Sequence, residues 1–202
     1  MGRKSKRALF PDAEAACSFS DIMDLQGDYA MCRTHGRKCV VPSVDVFVCC
    51  TSCRDFCRWS GPNGLVLLQS SSTGGSAQTF AGFLKYLEKH RPSMVLFENV
   101  DSMEDKVAPN FSNLDLASAQ LASRGYEHQN MISDAILFGL PQSRRRLFLA
   151  GVLTIGNPSI TFQERSVDVT FTTLRSLIRC AQRRAACATE LLLPPDHDAV
   201  ED

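Results

Sequence analysis

The chain has 202 residues, enough for one domain with a core of its own and short for two. Lysine plus arginine and aspartate plus glutamate stand at 22 each, so no net basic field draws the whole surface to nucleic acid, and any such binding has to come from local clusters. The 9 cysteines are odd in number and no secretory leader opens the chain, which predicts a reduced, intracellular setting, and no uncharged stretch approaches the apolar span of about 20 residues that a membrane helix needs.

In chain order, residues 1–7 form a small basic cluster, read as a solvated terminus, a nuclear address or a phosphate-contacting arm. Val44–Cys50 is an apolar, β-branched run, the pattern of a central strand buried on both faces of a parallel sheet. Residues 60–78 are rich in Gly and Ser and read as a surface loop or linker. In Thr79–His90, Phe80, Phe83, Leu84 and Leu87 fall at helical spacing, and Arg91-Pro92 ends the pattern. Ser93–Asn99 is a second buried strand with two polar residues at its carboxyl end. A helix over 114–124 stopped by Gly125, a weaker strand over 126–132 and a third buried strand over 147–152 follow. Beyond Val152 the texture turns polar, with an arginine-rich helix candidate over 173–188 and an acidic tail from Asp196. Alternating strands and helices predict an α/β, doubly wound, Rossmann-like fold, in which ligands sit beyond the carboxyl ends of the strands.

At those ends stand the residues that can carry chemistry. Cys53 lies in the turn Thr51–Cys57 after the first buried strand, beside Arg54, where a thiolate is favoured. Glu98-Asn99-Val100 ends the second strand, and Gln142-Ser143-Arg144-Arg145-Arg146 precedes the third. Singly, each has a structural reading as a buried thiol, a strand-end acid or a surface arginine run. Together, in this order, residues 17–152 resemble the cytosine-C5 DNA methyltransferases, whose cores carry a Pro-Cys turn, a Glu-Asn-Val strand end and a Gln-x-Arg-x-Arg segment before a further strand. The longest match is Phe138–Gly151.

The resemblance implies methyl transfer to C5 of cytosine in DNA, with Cys53 as the nucleophile that adds to C6. Glu98 would hydrogen-bond or protonate N3 as negative charge grows toward it, and Arg144 would hold the cytosine O2. Asn99, Gln142 and Arg146 would position the substrate by bracing the loops round the pocket. Such chemistry requires a base out of the duplex stack. The implied methyl donor is S-adenosylmethionine, with Asp21 for the adenine amino group, Ile22 for its ring face and Thr79 near the methionine end. A eukaryotic chain of this kind would be nuclear. The early Phe-x-Gly-x-Gly turn has no match, and the proline before the nucleophile is Ser52 here.

The expected division is a basic segment over 1–16, a partial catalytic domain over 17–152 and a short or vestigial recognition region with the acidic tail over 153–202. A truncated fold of this kind leaves room for a second chain that supplies the missing motifs. Three other functional readings stay open: a non-enzymatic relative that binds nucleic acid or a partner, an RNA methyltransferase, since one branch of the family acts on a transfer RNA, and a small zinc-stabilised interaction protein. Cys32-x2-His35-x3-Cys39 and Cys50-x2-Cys53-x3-Cys57 have spacings that zinc can use, but neither is a four-ligand set by itself and the first has no fourth ligand unless Cys17 folds near, so the thiols are read as packed or surface groups with no metal.

Overall fold

The computed structural model describes residues 16–56, 75–108, 110–154 and 167–185. Its centre is a four-stranded mixed sheet made of β3 (Val46–Cys50), β4 (Met94–Val100), β8 (Arg145–Leu153) and β7 (Tyr126–Asp134), in that spatial order. A small antiparallel hairpin, β1 (Tyr29–Cys32) and β2 (Arg37–Val40), precedes it, and β5 (Lys106–Ala108) pairs with β6 (Phe111–Ser112) at its side.

Among the described strands only β3 and β4 run parallel, joined by the crossover helix α1 (Gly75–His90). β8 is antiparallel to both of its neighbours. The link 135–144 between β7 and β8 falls short of the dozen or so residues that a parallel return requires, so those strands pair as a reversed ribbon. The fold class stands as expected, while the sheet is mixed rather than wholly parallel.

Alternation along β4 divides the core in two. Val95, Phe97 and Asn99 are buried on the side of α1, together with Leu147 and Leu149 of β8 and Tyr126 of β7. On α1, Phe80, Phe83 and Leu87 are buried as their spacing predicts, along with Tyr86. Phe47 of β3 stacks on Tyr86 at 4.1 Å between ring centroids, and Phe80 meets Phe97 edge-on at 5.5 Å. Rings buried in this way contribute roughly 1.5–3 kcal/mol each. The helix begins at Gly75, inside the stretch expected as a loop, and stops where Arg91 takes φ 45° before Pro92. Its partner on this face, α2 (Asn113–Ala122), starts in a capping box: the Ser112 hydroxyl accepts from the Asp115 N–H, and the Asp115 carboxylate accepts from the Ser112 N–H.

The other face carries Met94, Leu96, Ala150 and Val152, and α3 (Val167–Cys180) packs there through Phe171 and Leu174. α3 starts and stops earlier than the expected 173–188. It lies within the stretch expected as a recognition region, and here it covers the sheet. Val46 and Val48 point to the same face and remain more than half exposed at 54% and 57%. The expectation of a doubly buried central strand over Val44–Cys50 is therefore corrected: β3 is an edge strand of the described sheet, covered on its Phe47 and Cys49 side. A 420 Å³ apolar groove runs from these valines past Leu96 and Phe148 to Phe171, Leu174 and Ile178. The basic N-terminal segment, most of the 60–78 stretch and the acidic tail lie outside the described residues.

Candidate active site

The carboxyl ends of β3 and β4 bring the expected groups to one edge. Cys53, half-buried, sits between β3 and a single 3-10 turn over Arg54–Phe56, whose Phe56 N–H donates to the Cys53 carbonyl at 3.0 Å. Three contacts fix this turn. Asn99, buried at 2% exposure, donates through Nδ2 to the Thr51 hydroxyl at 2.8 Å, and its Oδ1 accepts the Val100 N–H at 2.8 Å. Asp55 accepts the Ser76 N–H at 2.9 Å while its own N–H donates to the Ser76 hydroxyl at 3.4 Å, which ties the turn to the first residues of α1. The Ser102 hydroxyl donates to the Phe56 carbonyl. Asn99 thus faces the Cys53 turn from inside the core. Asp55, Ser76 and Ser102 escaped sequence reasoning because each is an ordinary polar residue until the fold brings it to this corner.

Glu98 stands on the opposite face of β4 from Asn99. In the parallel register it is paired with Cys50, and its Oε1 accepts from Arg146 Nε at 3.1 Å, both side chains about one-fifth exposed at 21% and 23%. Burial, and then the Glu98 side chain, push the Cys50 thiol above its ordinary range. Cys49, turned into the core, is pushed by burial up to about 12, which makes it inert. Arg146 therefore braces the glutamate across the strands.

Arg144 and Gln142 lie in the exposed segment before β8. That segment is organised by Asp134, a residue the sequence reading did not single out. Its carboxylate accepts from the Arg144 N–H at 2.7 Å, the Ser143 hydroxyl at 2.8 Å and the Ile136 N–H at 3.3 Å. The Arg144 amide above all holds the Asp134 carboxyl below its ordinary value of 3.8, against the opposing effect of burial. The backbone of Arg144 is thus pinned while its guanidinium has no partner among the described residues. Arg145 meets Asp101 at 3.5 Å. After α3 the chain returns to the same loop, where the Arg183 N–H donates to the Leu137 carbonyl at 2.8 Å and brings Arg183 and Arg184 beside it.

The cofactor candidates occupy another part of the α1 surface. Asp21 caps a 3-10 turn over Ile22–Gln26, its Oδ1 accepting the Met23 N–H at 2.9 Å and its side chain exposed. Ile22 is half-buried against α1 at Gly82, where an added Cβ would come within 2.6 Å of Ile22 Cγ2. The Thr79 hydroxyl is turned back onto its own helix, to the Gly75 and Ser76 carbonyls at 3.1 and 3.0 Å. An acidic acceptor next to an apolar side chain fits the adenine end of S-adenosylmethionine. The Thr79 hydroxyl, spent within the helix, does not present itself to the methionine end.

A second cluster lies beside the hairpin. Cys17, Cys32, His35 and Cys39, which the sequence left one ligand short, come together at its turn, with Cys17 as the fourth member. Burial pushes the Cys32 thiol up, but backbone N–H groups of His35 and Ser18 together with the His35 ring outweigh it and hold it at about 6. Burial and the sulfurs of Cys32 and Cys39 push Cys17 up to about 11. The Cys50, Cys53 and Cys57 group does not gather in this way among the described residues, and Cys57 lies outside them.

Comparison with known proteins gives one family. The model of the C-5 cytosine-specific DNA methylases matches residues 15–179. The DNA (cytosine-5-)-methyltransferase DMT5 of Cryptococcus neoformans var. grubii is 30% identical over 133 residues, which make up 65% of this chain and 5% of that protein. Among solved structures, the S. pombe Dnmt2 methyltransferase is 22% identical, covers 63% of this chain and 34% of its own, and superposes with a TM-score of 0.40. The Entamoeba histolytica methyltransferase EhMeth is 17% identical, with 57% of this chain and 34% of its own covered and a TM-score of 0.39. The chain spans a twentieth of the length of the curated relative and about a third of these solved chains.

Proposed function

Because the chain belongs to the C-5 cytosine-specific DNA methylase family, we propose that it carries the catalytic end of a DNA cytosine-C5 methyltransferase, with Cys53 as its nucleophile. The observation that carries this reading is the shared edge of the parallel pair: the Cys53 turn follows β3, Glu98 stands near the carboxyl end of β4, and each is braced there, Asn99 to Thr51 and Arg146 to Glu98.

The Cys53 sulfur adds as thiolate to C6 of an extruded cytosine, and electrons pass through the ring toward N3. This step needs Glu98 as the carboxylic acid: turned from Arg146 to the base, its O–H donates to N3 as that charge grows, which lowers the barrier to addition. C5, now enamine-like, takes the methyl group. Loss of the C5 proton with elimination of the sulfur then restores the ring and releases Cys53. Arg144 holds the cytosine O2, and the pinned backbone of its loop lets the guanidinium act from a fixed base. Bound S-adenosylmethionine supplies the methyl group, with Asp21 and Ile22 holding its adenine. Arg144, exposed in this loop, with Arg183 brought beside it, is the start of the local cationic surface that a neutral chain needs to meet phosphates.

The test is a covalent trap. The full chain and its Cys53→Ala variant are incubated with DNA containing 5-fluorocytosine, with and without S-adenosylmethionine. The expected result is a denaturation-resistant adduct that requires both Cys53 and the methyl donor. A folded chain that binds this DNA and forms no adduct overturns the proposal, and an adduct with the matching RNA alone transfers it to RNA.

A further inference from the structure

The cysteines and histidine beside the hairpin are the strongest feature that the methyl-transfer reading leaves unused. β1 and β2 are antiparallel, with Cys32 at the end of the first strand opposite Arg37 and Cys39 two positions into the second. Gly36 at φ 64° makes the turn between them, which places His35 over the mouth of the hairpin. Residues 16–19 run alongside: the Arg33 N–H donates to the Ser18 carbonyl at 2.7 Å, and the Thr34 hydroxyl donates to the Ala16 carbonyl at 3.1 Å. That pairing delivers Cys17.

The result is three sulfurs round one nitrogen. His35 Nδ1 lies 3.5 Å from Cys17 Sγ, 3.3 Å from Cys32 Sγ and 3.5 Å from Cys39 Sγ, and the four atoms are all within 4.8 Å of one another. Hydrogen bonding does not account for this, since a neutral imidazole nitrogen has one lone pair and accepts from one thiol. Packing does not account for it either, because Cys17 and His35 are exposed and gain nothing by crowding polar atoms at the surface. A tetrahedral ion does. With zinc–sulfur bonds of about 2.3 Å and a zinc–nitrogen bond of about 2.0–2.1 Å, the nitrogen-to-sulfur edges of the tetrahedron come to about 3.5 Å.

We propose that Cys17, Cys32, His35 Nδ1 and Cys39 form a structural zinc site. Four protein ligands close the coordination sphere and leave no position for water or substrate, so the site holds structure rather than doing chemistry. The cysteines bind as thiolates and give up their protons as the metal enters. What zinc holds is the segment leading into Asp21 and Ile22. The 3-10 turn over Ile22–Gln26 has no fully buried residue and rests on the core only through the half-buried Phe19, Ile22 and Leu25, so a clamp at Cys17 adds to that partial anchoring. The site stands whether or not the chain transfers methyl groups.

Metal content of the full chain tests it. Protein made in zinc-supplemented medium and passed through a chelating column is expected to retain about one zinc per chain. Cobalt exchanged into the site is expected to show the visible bands and thiolate charge-transfer absorption of a tetrahedral sulfur-rich centre. His35→Cys is expected to keep the metal and move the cobalt bands toward those of an all-sulfur set, which guards against a variant that loses metal merely by failing to fold. Cys17→Ser is expected to weaken retention several-fold. A chain that is folded by circular dichroism but holds no zinc and gives no cobalt bands overturns the proposal. So does a native mass two hydrogens light, with a disulfide mapped within the cluster.

Discussion

Asn99→Ala puts the bracing of the Cys53 turn to a quantitative test. The side chain is buried at 2% exposure and makes two short bonds, to the Thr51 hydroxyl and from the Val100 N–H, each 2.8 Å. Truncation strands both partners in a closed corner, and at about 1 kcal/mol for each bond the loss is about 2 kcal/mol. For a chain of this length that corresponds to a fall of roughly 4–8 °C in the unfolding midpoint. The side-chain bond can be isolated by a double-mutant cycle with Thr51→Val, read by chemical denaturation. If Asn99 braces Thr51 as described, the two substitutions together cost about 1 kcal/mol less than their sum. The same variants should slow formation of the 5-fluorocytosine adduct, because the thiol loses its fixed approach. Additivity within about 0.3 kcal/mol refutes the bracing, and a normal adduct rate in the destabilised variant refutes its catalytic consequence.

Other residues yield sharp outcomes. Arg144→Lys keeps the backbone amide that Asp134 holds but removes the planar fork, so adduct formation should drop about tenfold, equivalent to about 1.4 kcal/mol, with the unfolding midpoint unchanged. Gly82→Ala places a methyl carbon 2.6 Å from Ile22 Cγ2 and 3.2 Å from Met23 Sδ, which pushes the Asp21–Ile22 segment off α1. Titration calorimetry should show weaker binding of S-adenosylmethionine, by about tenfold or about 1.4 kcal/mol, with helix content retained. Asp134 sets a pH dependence. Its carboxyl lies below 3.8 in the folded chain, so the loop's extra stability is complete above that value and disappears as pH falls through the lower, folded one. Amide exchange at Ile136 and Arg144 should accelerate across that acid window, and Asp134→Asn should remove the pH response.

The elements that mattered most for chemistry were legible because they are local. The apolar run before Cys53, the polar end of β4 and the spacing of Phe80, Phe83 and Leu87 each declare themselves within a few residues. Relations between distant segments were harder to read. A run such as Val46-Phe47-Val48 has the same composition whether one face or both are covered, so the open face at Val46 and Val48 could not be foreseen. Asp134 ends a polar strand without clean alternation, and its part in the arginine loop emerges only when β7 and β8 reverse upon each other. Cys17 could be offered as a fourth ligand only on condition that it folds near the other three, a condition of the same kind. Closing a longer loop adds little entropic cost, so a ligand well upstream of Cys32 is as accessible to the fold as a near one, and spacing alone does not reveal it.

Gly151 ends up governing more than its own packing. It sits directly across from Val95, where an added side-chain carbon would come within 2.8 Å of Val95 Cγ2. A slip of β8 by one position would bring Ala150 or Val152 to that spot, with a side chain where none fits, and would turn Arg146 away from Glu98 to the other face. The core therefore rejects every alignment in which the guanidinium fails to meet its carboxylate. The absent side-chain carbon of Gly151 thus acts as the assembly gauge for the Glu98–Arg146 pair toward the strand's other end.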